Sequence, residues 1–449
     1  MHVAMVGTGY VGLVSGACLA AIGHSVACVD ADPVRVDLLS RGECPIHEDG
    51  LDRLIREGMA AGRLGATTDL AAAMDGAQVV IVAVGTPSLD GRIDLSAVEA
   101  AAHQVGLALR GRRDRPVVAV KSTVVPGTTA TLVRRALEEA SGGRAGREFG
   151  LAMNPEFLSQ GSAVTDFLHP DRIVVGEWDP RSGELMAELY RPLAAPLLRM
   201  GLAEAEMVKY AANSLQALLI SYANQIAALC EALPGADHRR VMAAVHLDRM
   251  LDGPEGRRAG ATRFLMGGIG FGGSCFPKDL QALTVFAHRL GVPVPLIAAI
   301  SAVNAVRPAQ ALHLLSSRLG GLFERRVAVL GLTFKPGTDD LRESPGLKLI
   351  DRLRRHGAEV LAHDPLPQAR TRARDAGLPV ADRVEDALAG ANAVIIATAW
   401  PQYRQLAWSA LGEVVVLDGR NLLDGLDLPA SLQVVRMGAG PVSPEVPTP

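Results

Sequence analysis

Residues 3–12 read VAMVGTGYVG, and this stretch decides the fold of the N-terminal part of the chain. Four apolar residues, typical of a buried strand, lead into a G-x-G-x-x-G pattern, and a helical run follows at once. Gly7 permits the tight turn, Gly9 lets the backbone approach a pyrophosphate, and Gly12 lets the helix pack on the strand. The N–H groups at the start of that helix suit a phosphate. The stretch therefore predicts a dinucleotide site rather than a turn used only for packing.

The type of dinucleotide depends on the next strand. That strand, predicted at residues 25–30, ends in Asp30, close to the expected interval of about 20 residues after the glycines. The Asp30 carboxylate can accept hydrogen bonds from both ribose hydroxyls and would repel a 2′-phosphate. NAD is therefore favoured over NADP as the cofactor. Arg35 weakens this preference, because a nearby arginine could hold a 2′-phosphate.

Outward from the glycines, short apolar strands alternate with helical segments. Strands are predicted at residues 2–6, 25–30, 77–84, 116–121 and 150–153, and again at 326–330, 359–363, 393–397 and 414–418. Alternation of this kind indicates a parallel sheet covered by helices on both faces. A helix without internal Gly or Pro is predicted for residues 203–233. The sequence thus predicts an α/β protein, with an N-terminal Rossmann domain and a C-terminal Rossmann-like domain joined by a long central helix.

The composition argues against several other classes of protein. With 449 residues the chain is too long for one typical domain, and its net charge of -3 gives no support for binding nucleic acid or an anionic membrane. Its five cysteines show no metal-ligand spacing, so no metal site is predicted. The odd number of cysteines and the lack of a basic leader favour a reducing compartment. No apolar run reaches the roughly 20 residues that span a bilayer. We expect a soluble, cytoplasmic protein.

Two threonines follow later strands of the first predicted sheet. Thr86 lies in Val84-Gly85-Thr86-Pro87, and Thr123 lies in Lys121-Ser122-Thr123. Ligands of open α/β sheets bind along the carboxyl edge, so both threonines are candidate cofactor or substrate contacts. From the spacing alone, ordinary loop caps explain them equally well.

A carboxylate and a lysine–asparagine pair are the first signs of catalytic chemistry. Glu156, in Asn154-Pro155-Glu156-Phe157, directly follows a strand that ends at the ligand edge. Lys209 and Asn213 are four residues apart on the long helix, so both leave it on one face. Such a pair could stabilise a developing alkoxide. For a lone lysine and asparagine, however, a solvated helix face is the more common explanation.

A Gly-rich segment carries a cysteine in an unusual setting. Residues 270–279 read GFGGSCFPKD, which places Cys275 close to Lys278 and Asp279. A cation near a thiol favours the reactive thiolate, although a small buried thiol is the usual fate of a cysteine. A thiolate is useful when an aldehyde must be carried on to an acid. It adds to the aldehyde, the thiohemiacetal loses a second hydride, and the thioester is hydrolysed.

Together these segments resemble the UDP-glucose/GDP-mannose 6-dehydrogenase family, most closely its UDP-glucose branch. The resemblance extends from Gly7 to Arg420 and is most specific in four runs, at residues 154–158, 209–214, 270–279 and 331–345, the last reading GLTFKPGTDDLRESP. It implies NAD-dependent, four-electron oxidation of the C6 alcohol of a nucleotide sugar, most closely UDP-glucose to UDP-glucuronate. It also implies a homodimer or a dimer-based oligomer built on the long helix.

The resemblance assigns roles to individual residues. Cys275 would be the nucleophile, and Lys209 and Asn213 would stabilise the oxyanion. Asp279 and Thr123 would position or activate water, with Glu156 assisting acid–base steps. The residues expected to contact NAD are Gly7, Gly9, Val11, Gly12, Asp30, Arg35, Thr86, Thr123, Glu156, Lys278 and Arg342. Those expected to contact the nucleotide sugar are Glu156, Phe157, Leu158, Lys209, Asn213, Phe264, Leu265, Gly268, Gly272, Lys335 and Arg420.

The same resemblance suggests how the chain is divided. We expect an NAD-binding Rossmann domain at residues 1–202 and a central helical region for dimerisation and the active site at 203–317. A nucleotide-sugar-binding α/β domain would follow at 318–440, and a Pro-rich disordered tail at 441–449. The active site would lie in the cleft between the domains.

Two departures from the family pattern stand out. Gln160 stands where family members usually carry Glu, which puts any acid–base role of that position in doubt. An arginine that reaches the neighbouring subunit is expected near residues 252–260, and Arg257 or Arg258 could supply it only if the loop register shifts.

Several alternatives stay open at this point. TDP-glucose, GDP-mannose and UDP-N-acetylhexosamines are other possible substrates. A two-electron hydroxyacid dehydrogenase, or an NAD-binding regulator without catalytic activity, would leave Cys275 unexplained.

Overall fold

The computed structural model describes residues 1–89, 91–253 and 260–441. The chain falls into two compact units, one formed by residues 1–212 with 281–289, the other by residues 213–280 with the chain from 290 onward. The expected division at residues 202 and 317 stays a prediction. Except for Pro441, the expected tail lies outside the described residues, and so do Arg257 and Arg258.

One eight-stranded sheet forms the centre of the first unit. Its strands, in chain order, are β1 His2–Val6, β2 Ser25–Val29, β3 Leu64–Thr67, β4 Val79–Val82, β5 Val117–Val120, β6 Gly150–Met153, β7 Ile173–Glu177 and β8 Leu197–Gly201. They lie in the order β8-β7-β6-β5-β4-β1-β2-β3. The first six are parallel, but β7 pairs antiparallel with β6 and parallel with β8. The predicted α/β sheet is confirmed, and its five predicted strands are parallel as expected. Strands β3, β7 and β8 were not predicted, and β7 and β8 extend one edge in the opposite direction.

Burial on both faces explains why the middle strands could be recognised. Strands β4 and β5 read VVIV and VVAV, and every residue in them is buried. Strands covered on both faces by helices are nearly continuous apolar runs. Strand β4 is shorter than predicted, because apolar residues such as Ala77 and Val84 continue the pattern into the connecting turns. Strand β5 is shorter by one residue at each end, Pro116 and Lys121.

Helices cover both faces of this sheet. They are Tyr10–Ala21, Pro33–Ser40, Leu51–Ala60, Leu70–Met74, Ser96–Ala108, Arg134–Ser141, Ala163–Leu168 and Pro180–Tyr190, with a π-helical turn at Thr129–Val133, a 3-10 turn at Arg191–Leu193 and a short hairpin at Ser88–Leu89 and Arg92–Ile93. Residues such as Leu13 and Ile55 pack on one face, and residues such as Val98 and Leu137 pack on the other. The connections place the carboxyl ends of the parallel strands along one edge, where ligands of such sheets bind.

The second unit contains a smaller sheet that is parallel throughout. Its strands are β9 Arg326–Leu330, β10 Glu359–His363, β11 Ala393–Ile396, β12 Val414–Asp418 and β13 Leu432–Arg436. They lie in the order β10-β9-β11-β12-β13. Its helices are His238–Val245, Pro295–Leu319, Pro345–Arg355, Pro367–Asp375 and Val384–Leu388, with 3-10 turns at Arg249–Leu251, Gly260–Phe264, Pro401–Gln405 and Trp408–Ala410. This α/β arrangement confirms the predicted Rossmann-like C-terminal fold.

Two helices have residues in both units. The long helix spans Leu202–Glu231, and a second one spans Phe276–Arg289. The long helix therefore agrees with its prediction to within two residues, and it stops before Pro234-Gly235 as expected. Within the described parts of the chain, none of the helices combines the length and the apolarity needed to cross a membrane.

Candidate active site

The turn after β1 has the geometry that a pyrophosphate requires. Gly7 has a φ of +95°, and a Cβ there would lie 2.8 Å from the carbonyl oxygen of Ala83. A Cβ at Gly12 would lie 1.9 Å from the Gly7 carbonyl oxygen. At Gly9, by contrast, no described heavy atom lies within 4 Å of the Cβ position. The backbone at Gly9 is open to a ligand, and the helix that begins at Tyr10 has no side-chain cap, so its first N–H groups suit a phosphate.

Asp30 closes the other side of this turn. Its Oδ2 accepts hydrogen bonds from the Thr8 amide at 2.8 Å and the Thr8 hydroxyl at 2.5 Å, and its Oδ1 accepts one from the Asp32 amide at 3.0 Å. Burial alone would raise the pKa of Asp30, but these hydrogen bonds and the Arg35 guanidinium hold it below its ordinary value. Arg35 itself donates to the Thr8 carbonyl oxygen at 3.0 Å. The carboxylate is therefore ionised, and the guanidinium is engaged with the turn, an arrangement that suits NAD.

The carboxylate of Asp30 carries our prediction on cofactor choice. Asp30→Ala should lower kcat/KM for NAD by about 10- to 150-fold, since a hydrogen bond to a charged group contributes about 1.5–3 kcal/mol. The preference should relax toward NADP, because the charge that repels a 2′-phosphate is gone. Steady-state kinetics with both cofactors measure this, and Arg35→Ala is the matched control that keeps the carboxylate. Comparable turnover of the wild-type enzyme with NAD and NADP would contradict the prediction.

The two candidate threonines meet at the carboxyl edge of the first sheet. The Thr86 hydroxyl donates to the Thr123 carbonyl oxygen at 2.9 Å, and both side chains are partly exposed. The structure brings them together, and their contacts with cofactor or substrate stay predictions.

Glu156 and Lys209 form a buried ion pair in the first unit. The Lys209 Nζ lies 2.7 Å from the Glu156 Oε1, and their side chains are only 5% and 7% exposed. Glu156 also accepts a hydrogen bond from the Leu158 amide at 2.6 Å, and the Lys209 Nζ lies 5.7 Å from the centre of the Phe157 ring. Burial would raise the pKa of Glu156, but the Lys209 ammonium, the Leu158 amide and Lys121 together hold this pKa below its ordinary value. The solvated-face explanation for Lys209 is therefore wrong.

Asn213 follows Lys209 by one turn of the long helix and pairs with a different carboxylate, in the second unit. Its Nδ2 donates to Asp279 Oδ2 at 2.6 Å, and the Lys278 Nζ donates to Asp279 Oδ1 at 2.6 Å. Asn213 and Asp279 are both buried. The Asn213 amide of the long helix thus pairs with Asp279, and the Lys209 ammonium pairs with Glu156.

Cys275 is the exposed residue directly before the helix Phe276–Arg289. Its carbonyl oxygen accepts the first helical hydrogen bond, from the Asp279 amide at 2.8 Å. The thiol therefore lies at a helix N-terminus, where the thiolate form is favoured. The alternative of a small buried thiol is wrong, because this side chain is exposed.

The glycines before Cys275 let the chain lie against a second loop. A Cβ at Gly272 would lie 2.2 Å from the Glu343 carbonyl oxygen, and Gly273, with φ of +85°, donates its amide to the Arg342 carbonyl oxygen at 2.9 Å. The hydrogen bond to Asp340 raises the pKa of Arg342, and the interaction with Cys275 adds to this in the same direction. A guanidinium therefore stabilises negative charge on the Cys275 sulfur.

Arg420, an expected sugar-nucleotide contact of the second unit, has an incomplete set of hydrogen bonds. The Arg420 Nε donates to the Ala397 carbonyl oxygen and its Nη1 to the Gly270 carbonyl oxygen, both at 2.8 Å. Its buried Nη2 has no hydrogen-bond partner among the described residues, and burial lowers the pKa of Arg420 to about 10. A buried donor without an acceptor is rare unless a ligand completes it. A Cβ at Gly268 would lie 2.8 Å from the Gly419 carbonyl oxygen, so this glycine lies directly beside Arg420.

Three other expected contacts belong to the same unit. Lys335 places its Nζ 5.8 Å from the centre of the Phe334 ring, whose edge lies 2.9 Å from the Cβ position of Gly273. Phe264 ends a 3-10 turn, and Leu265 after it is buried. Each of these expected contacts has a defined place within its own unit, and its role in binding stays a prediction.

Three buried charged residues that hydrogen-bond to these segments were not predicted from the sequence. Glu48 accepts hydrogen bonds from the Tyr10 hydroxyl and, at 2.7 Å each, from the amides of Gly161 and Ala163, which follow Gln160. Lys121 donates to Asn154, and Arg307 donates to the Gly268 carbonyl oxygen at 3.0 Å. A charge directly after the apolar run VVAV was the available signal for Lys121. Two of these three contacts of Glu48 are with residues more than 100 positions away in the sequence, so they leave no local signal.

Three family models match this chain in order. The NAD binding domain of the UDP-glucose/GDP-mannose dehydrogenase family matches residues 1–194, its central domain residues 203–306 and its UDP binding domain residues 328–425.

Individual proteins are similar over most of their length. The UDP-glucose 6-dehydrogenase AglM of Haloferax volcanii is 42% identical over 438 residues, covering 95% of this chain and 99% of its own. The GDP-mannose 6-dehydrogenase of Azotobacter vinelandii is 40% identical over 365 residues, 81% of each chain. A solved UDP-glucose dehydrogenase from Pyrobaculum islandicum superposes with a TM-score of 0.89 at 40% identity, covering 98% of this chain and 97% of its own.

Proposed function

This chain belongs to the UDP-glucose/GDP-mannose dehydrogenase family, and from that premise we propose that its substrate is UDP-glucose, oxidised at C6 to UDP-glucuronate. The chain is an NAD-dependent oxidoreductase of nucleotide sugars. The observation that carries the four-electron chemistry is the exposed Cys275 at a helix N-terminus, with a buried Asn213–Asp279 pair in the same unit. A cysteine in this position has no purpose in a two-electron hydroxyacid dehydrogenase.

The first oxidation converts the C6 alcohol to an aldehyde. The hydroxyl loses its proton and C6 loses a hydride, which a bound NAD would accept. A second NAD, bound after the first NADH has left, would accept the hydride of the later step. Lys209 and Asn213 stabilise the negative charge that develops on the oxygen, with an ammonium and an amide donor one helical turn apart. Glu156, ionised beside Lys209, assists the proton transfer.

The second oxidation proceeds on the cysteine. The Cys275 thiolate attacks the aldehyde carbon, and the oxygen takes up a proton to give a thiohemiacetal. Loss of a hydride from C6 and a proton from the oxygen leaves a thioester. Water then adds to the thioester carbon and the C–S bond breaks, which releases the carboxylate and restores the thiol. Asp279 and Thr123 position this water.

The second unit supplies the contacts for the nucleotide. The buried Arg420 Nη2 needs an acceptor, which an oxygen of the nucleotide sugar provides. Gly268, beside Arg420, lets the backbone lie close to Gly419. Lys335 adds a second cation for the nucleotide. Similarity to UDP-glucose 6-dehydrogenases over nearly the full chain supports uridine as the base.

A substrate panel tests this assignment. Purified enzyme with NAD should release NADH from UDP-glucose with a kcat/KM at least tenfold above that for TDP-glucose, GDP-mannose or a UDP-N-acetylhexosamine. GDP-mannose is the specific competitor, because a relative at 40% identity is named for it. A preference for GDP-mannose would overturn the choice of UDP-glucose while leaving the chemistry intact. Activity on a simple hydroxyacid would overturn both.

We also propose a homodimer built on the long helix. Leu215, Tyr222 and Leu229 follow one another at intervals of seven and are 56%, 49% and 62% exposed. Apolar residues at heptad spacing form the seam between paired helices, so a second copy of the chain is the natural partner.

None of the five cysteines forms a disulfide, which supports our proposal of a reducing, cytoplasmic location.

Leu229→Glu tests this dimer. Two leucines would lose their burial, at about 2 kcal/mol each, so the dissociation constant should rise by about three orders of magnitude. Sedimentation equilibrium measures it, with Leu247→Glu, exposed outside the long helix, as the matched control. An unchanged dimer in Leu229→Glu, or a monomeric wild type, would exclude this interface.

A further inference from the structure

Lys121 is a buried lysine without a defined task in the reaction. It follows strand β5 directly and is 4% exposed. Its Nζ donates to the Asn154 Oδ1 at 2.9 Å and lies 3.5 Å from the Tyr190 hydroxyl. The rings of Phe167 and Tyr190 lie 5.9 Å and 5.8 Å away. Among the described residues, all of its hydrogen-bond partners are thus neutral.

Such an ammonium is costly to bury. Burial lowers the pKa of Lys121 to about 8, although Glu156 opposes this, and Lys209 adds to the lowering. An apolar side chain of similar volume would fill the same space without the desolvation cost. Stability of the fold therefore does not explain this lysine.

The partner of Lys121 controls the turn that carries Glu156. The Asn154 Oδ1 also accepts a hydrogen bond from the Tyr190 hydroxyl at 2.5 Å, and its Nδ2 donates to the Val174 carbonyl oxygen at 2.9 Å. Both polar atoms of this amide, Oδ1 and Nδ2, are thereby held by hydrogen bonds, and Pro155 restricts the next backbone step. Glu156 leaves the turn one residue later and reaches Lys209.

The charges around this turn are unbalanced. Two ammonium groups, Lys121 and Lys209, share the carboxylate of Glu156, and both affect its pKa. Asp166 and Arg172 line the same pocket, one with each sign of charge. When Lys209 donates to the developing oxyanion of the substrate, its bond to Glu156 weakens, and Lys121 offsets the lost attraction, because it is the other ammonium that lowers the pKa of Glu156.

We propose that Lys121 is a positioning residue for this reaction: it fixes the turn at residues 154–156 and keeps Glu156 ionised while Lys209 serves the reacting oxygen. This inference rests on the proposed function, because the proposed function assigns Lys209 to the oxyanion. Lys121 contacts neither substrate nor cofactor in this role and acts through Asn154 and its charge.

Three substitutions separate the charge from the hydrogen bond. Lys121→Gln keeps a donor for Asn154 but removes the charge, Lys121→Met removes both, and Tyr190→Phe keeps the charge and the ring. We expect kcat to fall by about 10- to 100-fold in both Lys121 variants, with the KM for NAD and for the nucleotide sugar within about threefold of wild type. Tyr190→Phe should retain kcat within about threefold.

The pH profile distinguishes this role from a structural one. Removal of a nearby positive charge raises the pKa of Glu156, so the acidic limb of kcat/KM should move to higher pH by about 1 unit in both Lys121 variants. The wild-type enzyme should lose activity as pH rises through about 8, where Lys121 loses its proton, and the variants should lack this limb. Tyr190→Phe should keep both limbs.

Thermal stability supplies an independent readout. The pKa of Lys121 is lower in the folded state than its ordinary value, so its charge lowers stability at pH 7, and this penalty disappears as pH rises above about 8. Lys121→Met should therefore have a Tm at pH 7 equal to or above that of wild type.

The outcomes separate this inference from the proposed function. If the limbs of the pH profile do not move in Lys121→Gln, Lys121 is only a packing residue. The same conclusion follows if the Tm falls and activity is lost equally at all pH values. If the wild-type enzyme prefers another nucleotide sugar, the assignment of UDP-glucose fails, and the same comparison is made with that sugar. If the wild-type enzyme oxidises no nucleotide sugar, the proposed function fails and this inference fails with it.

Discussion

Cys275→Ser is expected to lower the turnover of UDP-glucose by about three orders of magnitude or more, while binding of the nucleotide sugar changes by less than about twofold. Serine keeps a hydroxyl of similar size, but it is a weaker nucleophile, and an alkoxide is a poorer leaving group than a thiolate. The first hydride transfer needs Lys209 and Asn213 rather than the thiol, so it can still occur. The later steps should stall at an aldehyde equivalent or a slowly hydrolysed ester.

Rapid mixing with mass spectrometry would detect the stalled species. Cys44→Ser is the matched control, because the Cys44 thiol donates to the Ile46 carbonyl oxygen at 3.1 Å, and a hydroxyl can make the same bond. That variant should turn over at the wild-type rate. A Cys275→Ser enzyme with near wild-type turnover would reduce this cysteine to a residue without a catalytic role.

Lys209→Ala should slow the hydride steps themselves. Loss of one donor to an oxyanion costs about 2.7–4 kcal/mol, so kcat should fall by about 10²–10³-fold. In contrast to Cys275→Ser, neither an aldehyde nor an ester should accumulate, because the first oxidation is already slow. Single-turnover measurements of NADH formation check this prediction.

The same substitution should also change the pH dependence. Without the ammonium, Glu156 loses the interaction that lowers its pKa most, so this pKa rises relative to the wild type and the acidic limb should move to higher pH. The variant with Lys209→Met and Glu156→Gln together is the control for stability, since it removes both charges of the Lys209–Glu156 pair. A Lys209→Ala enzyme that performs the first hydride transfer at the wild-type rate would contradict the role of Lys209.

Much of this account could be predicted because the information is local. The glycines of VAMVGTGYVG, the apolar runs of β4 and β5, and the uninterrupted long helix all carry their signal within a few residues. The environment of Cys275 is also local, since the glycines, the helix and Lys278 are close in sequence.

The rest depends on contacts between distant parts of the chain. Lys121 meets Tyr190 across 69 residues, and Glu48 meets Ala163 across 115. Strand β7 reads IVVGE, which predicts a strand but not its direction, because the antiparallel pairing with β6 is set by how the chain returns to the sheet. No periodic pattern in a single sequence contains that information.

The stoichiometry of NADH release tests the four-electron mechanism most directly. A limiting, known amount of UDP-glucose is converted to completion with excess NAD, and NADH is measured by absorbance while a carbonyl reagent traps any aldehyde. We expect two NADH per UDP-glucose, UDP-glucuronate as the product and no trapped aldehyde. One NADH per UDP-glucose, with the aldehyde recovered in the trap, would contradict a covalent passage through Cys275.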